Sequence, residues 1–411
     1  MRVVHICSSL NGGAGLCASR IIEATKALGI DAKAIVQTGC QNKTVSVANR
    51  SDYWSNTGLL RRIQAVILKT FNYPKYLAVE RQIDEERRNF HETICFTSPL
   101  TSYTHLTEHP WIMEADIVHL HWIGGFVDYP SFFQQIEKPI VWTVHDENPG
   151  QGGFHYSFWK NSAPKSFQLL DDELAAIKKE AYNHAKSITL VAISDMMADY
   201  FRQNQLLGNF PMSVIHNGVD GSTFTPIDKS LAREALGVKR DEVLFLFVAQ
   251  NIHEERKGLT KLLEALKHLN IPKMTLLCLG HFKKKPTVSF HIRCEGFIPN
   301  TQLLTLYYSA ANYLVMPSNQ EAFAQTPMEA MACGTPTVLF PCSGARDIIN
   351  EQNGIVCRDF TVEALVQGLK EAMSHNYSSE HIRQDILKRF SYDIIARQYF
   401  DLYKKVIRDN I

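Results

Sequence analysis

The sequence predicts an α/β protein made of two doubly wound, parallel-sheet domains facing each other across a cleft. Three observations lead there. At 411 residues the chain exceeds one typical domain. A strand, glycine-rich turn, helix and strand open the chain between Arg2 and Val36, and a strand–loop–helix–strand order starts again at Val243. Between Tyr313 and Phe340 a short apolar run, an acidic loop, a helical pattern and a second apolar run read as a further βαβ unit. Composition narrows the class. The chain is 45% hydrophobic and 21% charged, as in soluble globular enzymes. A net charge of +1 gives no bulk electrostatic reason to bind nucleic acid. The nine cysteines contain no C-x-x-C pair, which fits reduced cytoplasmic thiols and argues against a structural zinc. The opening MRVVHIC reads as a strand rather than a signal peptide, and no run of about twenty apolar residues is present to span a bilayer.

Taken in order, Arg2 to Cys7 is the first strand, and Asn11-Gly-Gly-Ala-Gly15 is a turn before a helix from Leu16 to Leu28, closed by Gly29. Gly12, Gly13 and Gly15 would let the backbone approach an anion, or simply make a tight turn. Leu59 to Phe71 mixes basic and apolar residues at helical spacing. It reads as a surface helix packed by one face, with docking on an anionic membrane surface as the alternative. Glu85-Glu-Arg-Arg88 reads as a solvated helical face. Ala115 to Trp122 is a strand in which His119 and His121 share one face. No third metal ligand is evident, so hydrogen-bonded histidines are expected there and no metal. Lys138 to Asp146 is the next strand and its loop. His145 falls just past the carboxyl end, the edge where open α/β sheets bind ligands; a buried structural histidine is the alternative. The following ENPGQGGFHY loop combines glycine and aromatic residues, a composition suited to a sugar. Helix Leu174–Ala185, strand Ser187–Ile193, a helix capped at Ser194-Asp195 and strand Pro211–Ile215 complete the first half.

In the second half, strand Val243–Ala249 leads through QNIHEERKG to a helix from Leu259 to Leu269. Arg256 and Lys257 stand beside Gly258 at a strand-to-helix edge, where two cations would neutralise a diphosphate. Strand Met274–Leu279, a strand and turn at Cys294–Pro299 and a helix from Thr301 to Ala310 follow. After strand Tyr313–Pro317 the acidic Glu321 lies on the loop. Thr326 and Pro327 then open a helix that carries Glu329 and stops at Gly334 and Pro336. Loop and helix-start amides can hold phosphate oxygens, and Glu329 is set to accept from paired hydroxyls. Helices at Thr361–Met373, Ser379–Arg389 and Tyr392–Asp409 end the chain.

The stretch Glu321-Ala-Phe-Ala-Gln-Thr-Pro-Met-Glu329-Ala-Met-Ala-Cys-Gly-Thr-Pro336 resembles the E-x7-E motif and its EAMA-x-G-x-P continuation in the retaining family 4 glycosyltransferases of the GT-B fold. Asn217-Gly-Val-Asp220 with Phe224 and Pro226, and the strand DIVHLH, are similar to other signatures of that family. T-x-H-D…G-G-x-H-Y resembles its branch that builds bacterial surface polysaccharides. Two departures stand out: Ala324 replaces the usual glycine, and the usual earlier arginine falls near Asn251, so that Arg256 would substitute.

The resemblance implies two Rossmann-like domains, 1–218 for the acceptor and 219–391 for the nucleotide sugar, with a helix at 392–411 packing back on the first. It implies that Gly12, Gly13 and Gly15 face the donor's diphosphate. The base would pack near Phe297, the amides of Ala324 and Gln325 and the cations Arg256 and Lys257 would hold the diphosphate, and Glu329 the ribose. Glu321 and His145 would orient the sugar, with Asp146 and His155 as further acceptor or sugar contacts.

The expected activity is metal-independent, retaining transfer of a hexose-type sugar from a nucleoside-diphosphate sugar to a lipid-linked saccharide. It would take place in the cytoplasm or at the inner face of its membrane, without a cofactor. The rivals are a nucleotide-sugar epimerase or hydrolase on the same fold and a non-catalytic sugar-binding partner of a glycan assembly complex.

Overall fold

The computed structural model describes residues 1–48, 75–90, 94–323, 325–342 and 344–410. The basic stretch from Leu59 to Phe71 and Ala324 lie outside the described residues. The chain divides into two compact units, residues 1–215 with 395–411, and residues 216–394.

The first unit is built on a seven-stranded sheet whose pairings are all parallel. Its strands are β1 (Arg2–Ser9), β2 (Asp31–Thr38), β3 (Val45–Val47), β4 (Ile117–Leu120), β5 (Ile140–Val144), β6 (Ile188–Ala192) and β7 (Met212–Val214), in the spatial order β3-β2-β1-β4-β5-β6-β7. Val3 to Cys7 and Ile140 to Val144 are buried at every position, the mark of strands covered on both faces by helices. The last helix, Tyr392–Asp409, supplies part of that cover. Ile395, Tyr399, Leu402, Tyr403 and Val406 recur at three- and four-residue steps and join a core with Val3, Ile21, Ala34, Val141 and Val191.

The second unit holds a six-stranded sheet of β8 (Val243–Asn251), β9 (Met274–His281), β10 (His291–Gly296), β11 (Tyr313–Met316), β12 (Thr337–Leu339) and β13 (Gly354–Val356), also parallel throughout. The order is β10-β9-β8-β11-β12-β13. Sequence order reverses direction between β8 and β11 here, and between β1 and β4 in the first unit. Such switch points leave a crevice beyond the strands' carboxyl ends.

Two expected elements differ from the structure. The first helix spans Gly12–Ala27, so Gly12, Gly13 and Gly15 form its opening turns rather than a loop before it. Gly12 has φ +76°, and a Cβ at Gly15 would overlap the carbonyl of Ser9 and the backbone of Leu10. The helix therefore starts hard against the end of β1, which only glycine allows. The second difference is Glu86, expected on a solvated face. It is buried in a helix over 75–89 and accepts from Ser166 Oγ at 3.0 Å.

Candidate functional site

At the switch point of the second unit, two loops from neighbouring strands meet. From β8 the chain makes a 3₁₀ turn, Glu255–Lys257, and reaches Gly258 in the left-handed region at φ 75°. From β11 it runs through Pro317 to the helix Gln325–Ala332. Gly258 lies so close to Pro317 that a Cβ would overlap the Pro317 carbonyl oxygen. Asn319 N–H donates to the Arg256 carbonyl at 2.7 Å, which ties the loops together.

This apposition puts both cations on one carboxylate. Lys257 Nζ lies 2.6 Å from Glu321 Oε1, and Arg256 Nη1 lies 3.1 Å from Glu321 Oε2. Burial alone would raise the Glu321 pKa; Lys257 and Arg256 overcome it and hold the carboxyl down to about 2. Arg256 is 7% exposed and spends its guanidinium inward, on Glu254 Oε1 at 2.8 Å, on the Gln320 carbonyl at 2.6 Å and on Glu321. Lys257 is the better exposed of the two cations, and one ammonium proton on Glu321 leaves two for a ligand.

Glu329 lies eight residues after Glu321 on the half-buried face of the helix, and Tyr308 OH donates to its Oε2 at 3.0 Å. Gln325 is the first residue of that helix. Phe297, just past β10, is 51% exposed and stacks on His281 with centroids 4.9 Å apart and planes 10° from parallel. It offers a flat apolar surface to the open side. Asn251, where an arginine was expected by resemblance, accepts the His253 N–H at 3.0 Å and shapes the turn.

In the first unit the carboxyl ends of β1, β4 and β5 gather imidazoles. β1 pairs His5 opposite His119, and His121 follows on the same face. The sequence reading missed His5; a lone histidine in an apolar strand looks like core until the β1–β4 register is known. The three offer nitrogens within 4.8 Å of one another. His119 contacts Tyr403 OH at 2.6 Å and Thr143 Oγ1 at 2.8 Å, and His5 Nδ1 lies 2.9 Å from His121 Nε2. His121 Nδ1 in turn lies 3.2 Å from His145 Nε2. Burial depresses the His145 pKa to about 4 against the pull of Asp146, so the ring is neutral near pH 7.

Most of the ENPGQGGFHY loop is buried. Phe154 is fully buried and packs with Phe96 and Phe167, at centroid distances of 4.8 Å each. Gly152 and Gly153 are there for close packing: a Cβ would overlap the Asp171 carbonyl in one case and the Phe96 ring in the other. Asp171 accepts the N–H groups of Gly153 and Phe154 at 2.6 and 3.0 Å. Asp146 and His155 are buried and turned to each other, Oδ2 to Nδ1 at 2.6 Å. Trp122 Nε1 donates to the same Asp146 oxygen at 3.0 Å, and Thr97 Oγ1 meets His155 Nε2 at 3.0 Å. Burial works against charge on His155, but Asp146 pushes its pKa up to about 10. The pair fixes the loop that begins at His145.

No described helix is long and apolar enough to cross a membrane.

Two families match consecutive stretches of the chain. The one described as "Glycosyltransferase Family 4" matches residues 56–222, and "Glycosyl transferases group 1" matches 228–389. An uncharacterized glycosyltransferase of Methanocaldococcus jannaschii is 25% identical over 311 residues, covering 71% of this chain and 75% of the relative. Among solved structures, sucrose-phosphate synthase from Thermosynechococcus elongatus superposes with a TM-score of 0.71 at 19% identity, covering 100% of both chains. The Anabaena protein HepE, solved in complex with UDP and glucose, superposes with a TM-score of 0.67 at 17% identity, covering 98% of this chain and 100% of its own. At these identities the structural likenesses speak for the fold.

Proposed function

This chain is a glycosyltransferase of the group 1 type with the α/β GT-B fold, and we propose that it moves a hexose-type sugar from a nucleoside-diphosphate sugar to a saccharide acceptor with retention at the anomeric carbon. The observation that carries the proposal is the clasp of Lys257 and Arg256 on Glu321 at a switch-point edge, with Glu329 on the next helix. Lys257 spends one proton on Glu321 and turns the others to the diphosphate. Arg256 holds Glu321 in place. The Gln325 amide at the helix start adds a donor to phosphate oxygens. Glu329, steadied by Tyr308, accepts from the ribose hydroxyls. Phe297 offers its face to the base, and in the first unit His145 is the separate candidate for contact with a sugar.

In the reaction the bond from the anomeric carbon to the phosphate oxygen breaks, and a bond to the acceptor hydroxyl forms on the same face. The acceptor proton passes to the departing diphosphate, whose charge Lys257 absorbs. Lys257 and the Gln325 amide carry this charge without a metal. A lipid-linked acceptor at the inner face of the cytoplasmic membrane, in polysaccharide assembly, is the acceptor class we favour. The UDP and glucose bound by the Anabaena protein make UDP-sugars the first donors to try.

The test incubates the protein with nucleoside-diphosphate sugars, with and without a lipid-linked saccharide. Acceptor-dependent release of nucleoside diphosphate, with the donor's anomeric configuration kept in the product, is the expected result. Consumption of donor alone would indicate an epimerase or hydrolase, and donor binding without turnover a sugar-binding partner.

A further inference from the structure

In the second unit two cysteines face each other across a strand pair. Cys278 of β9 lies directly opposite Cys294 of β10 in the parallel register. Opposite residues of such a pair point to the same face of the sheet, and both side chains join the core that also takes Leu276 and Ile292. The two thiols are in hydrogen-bonding contact. Among the described strand pairings no other cysteine stands opposite a cysteine. Paired strands run about 4.8 Å apart, inside the Cα separation of about 4.4–6.8 Å that a disulfide spans.

The two thiols are unlike. Cys278 is fully buried, whereas Cys294 is half-buried on an edge strand. The hydrogen bond from the Cys278 thiol holds the Cys294 pKa below the ordinary thiol value; burial works against this, and the Lys285 ammonium adds to it. The same bond, with burial, pushes the Cys278 thiol up. Burial also pushes up Cys333, Cys342 and Cys357. Cys294 therefore combines the exposure and the thiolate character that an attacking sulfur needs, and Cys278 waits behind it.

We infer that Cys278 and Cys294 are a redox pair, which a low-molecular-weight disulfide oxidises to a bond between β9 and β10. The Cys294 thiolate attacks one sulfur of the small disulfide and releases the other as a thiol. The Cys278 thiol then gives up its proton and attacks Cys294 Sγ, and the second small thiol leaves. Two protein thiols are oxidised and one disulfide is reduced to two thiols. The bond acts on the ring pair just beyond it, because His281 and Phe297 each follow three residues after a cysteine and stack on one another. The Cβ atoms of a disulfide stand about 3.8 Å apart, so closure draws the strands together by about 1 Å. β10 is paired on one side only and its register already slips between Cys294 and Gly296, so it is the strand that moves, and Phe297 shifts against His281. The effect on a nucleotide rests on the function proposed above; the disulfide does not.

The test incubates the full chain with glutathione disulfide, alkylates the remaining thiols and maps the cysteines by mass spectrometry. The expected product joins the Cys278 and Cys294 peptides, and dithiothreitol separates them again. In Cys278→Ala the reaction stops at a glutathione adduct on Cys294, and in Cys294→Ser it leaves Cys278 as the free thiol. A wild-type Cys294 that keeps the adduct, or a wild-type Cys278 that stays free, would overturn the inference. The wild-type map decides even if the alanine variant does not fold. Calorimetry with UDP reads the consequence. The oxidised chain should bind UDP several-fold more weakly than the reduced chain, reduction should restore the affinity, and Cys294→Ser should not respond to glutathione disulfide. Equal affinity with the bond in place would overturn its action on Phe297. A reduced chain that binds no nucleoside diphosphate would count against the nucleotide-sugar reading, while the peptide map still decides the redox pair.

Discussion

The Glu321 carboxylate sits 2.6 Å from the Lys257 ammonium, a side chain 64 residues earlier in the sequence. Their strands, β8 and β11, are neighbours in the sheet, so the contact is made by topology. The buried carboxyl stays ionised because Lys257 and Arg256 surround it. Its folded pKa is depressed from 4.5 to about 2. Such a group contributes stability that is present above its unfolded pKa and lost as pH falls toward the folded value. Wild type should therefore lose stability between about pH 4.5 and pH 2, and Glu321→Gln should lose less over that window. Thermal unfolding of both proteins against pH measures the difference; parallel curves would refute the linkage.

Gly258 brings the two loops within reach of each other. Its left-handed φ of 75° and its approach to the Pro317 carbonyl exclude a side chain. Gly258→Ala should cost at least about 1–2 kcal/mol from the backbone alone. It should also weaken nucleoside-diphosphate binding as Lys257 and Glu321 separate. Denaturant unfolding and calorimetry check the two effects. An alanine variant equal to wild type in both would mean that the loops close without this contact.

The Asp146–His155 pair makes a prediction of opposite sign. The folded pKa of His155 is raised from 6.5 to about 10, so its contribution is complete below about 6.5 and lost as pH rises through about 10. Asp146→Asn should lower the His155 pKa, readable by NMR titration. It should also destabilise the protein by about 3–5 kcal/mol, the usual result of breaking a buried pair. An unchanged His155 titration would show that another group holds its charge.

Most strands of the two sheets were legible in the sequence because they are continuous apolar runs between turn residues, and Lys257 and Glu321 could be placed on the loops that follow two of them, with Glu329 on the next helix. Contacts that depend on strand order were not. Glu254 and the Gln320 carbonyl, which draw Arg256 inward, could not be matched to it before β8 and β11 were known to be adjacent. His5 needed the register with β4. The ENPGQGGFHY loop was placed as an open loop although most of it is buried. Glycine and aromatic residues suit an open ligand loop and a tightly packed one equally, and burial decides which it is.

The proposed function assigns Glu329, which accepts from Tyr308 OH, to the ribose. Glu329→Gln should weaken nucleoside-diphosphate binding while leaving inorganic pyrophosphate unaffected, and Tyr308→Phe should reproduce part of the loss by releasing the carboxylate. A hydrogen bond to a charged group is worth about 1.5–3 kcal/mol, which sets the scale for the first variant. Equal losses for pyrophosphate would take Glu329 away from the ribose.

The most direct measurement compares wild type and Lys257→Ala by calorimetry. The ligands are the nucleoside diphosphate that gives the largest thermal shift and its parent nucleoside. Loss of a charge-assisted contact should weaken the diphosphate by about 1.5–3 kcal/mol, roughly ten- to a hundredfold, and leave the nucleoside unchanged. Undiminished diphosphate binding in the variant, or an equal loss for the nucleoside, would contradict the assignment of Lys257 to the diphosphate.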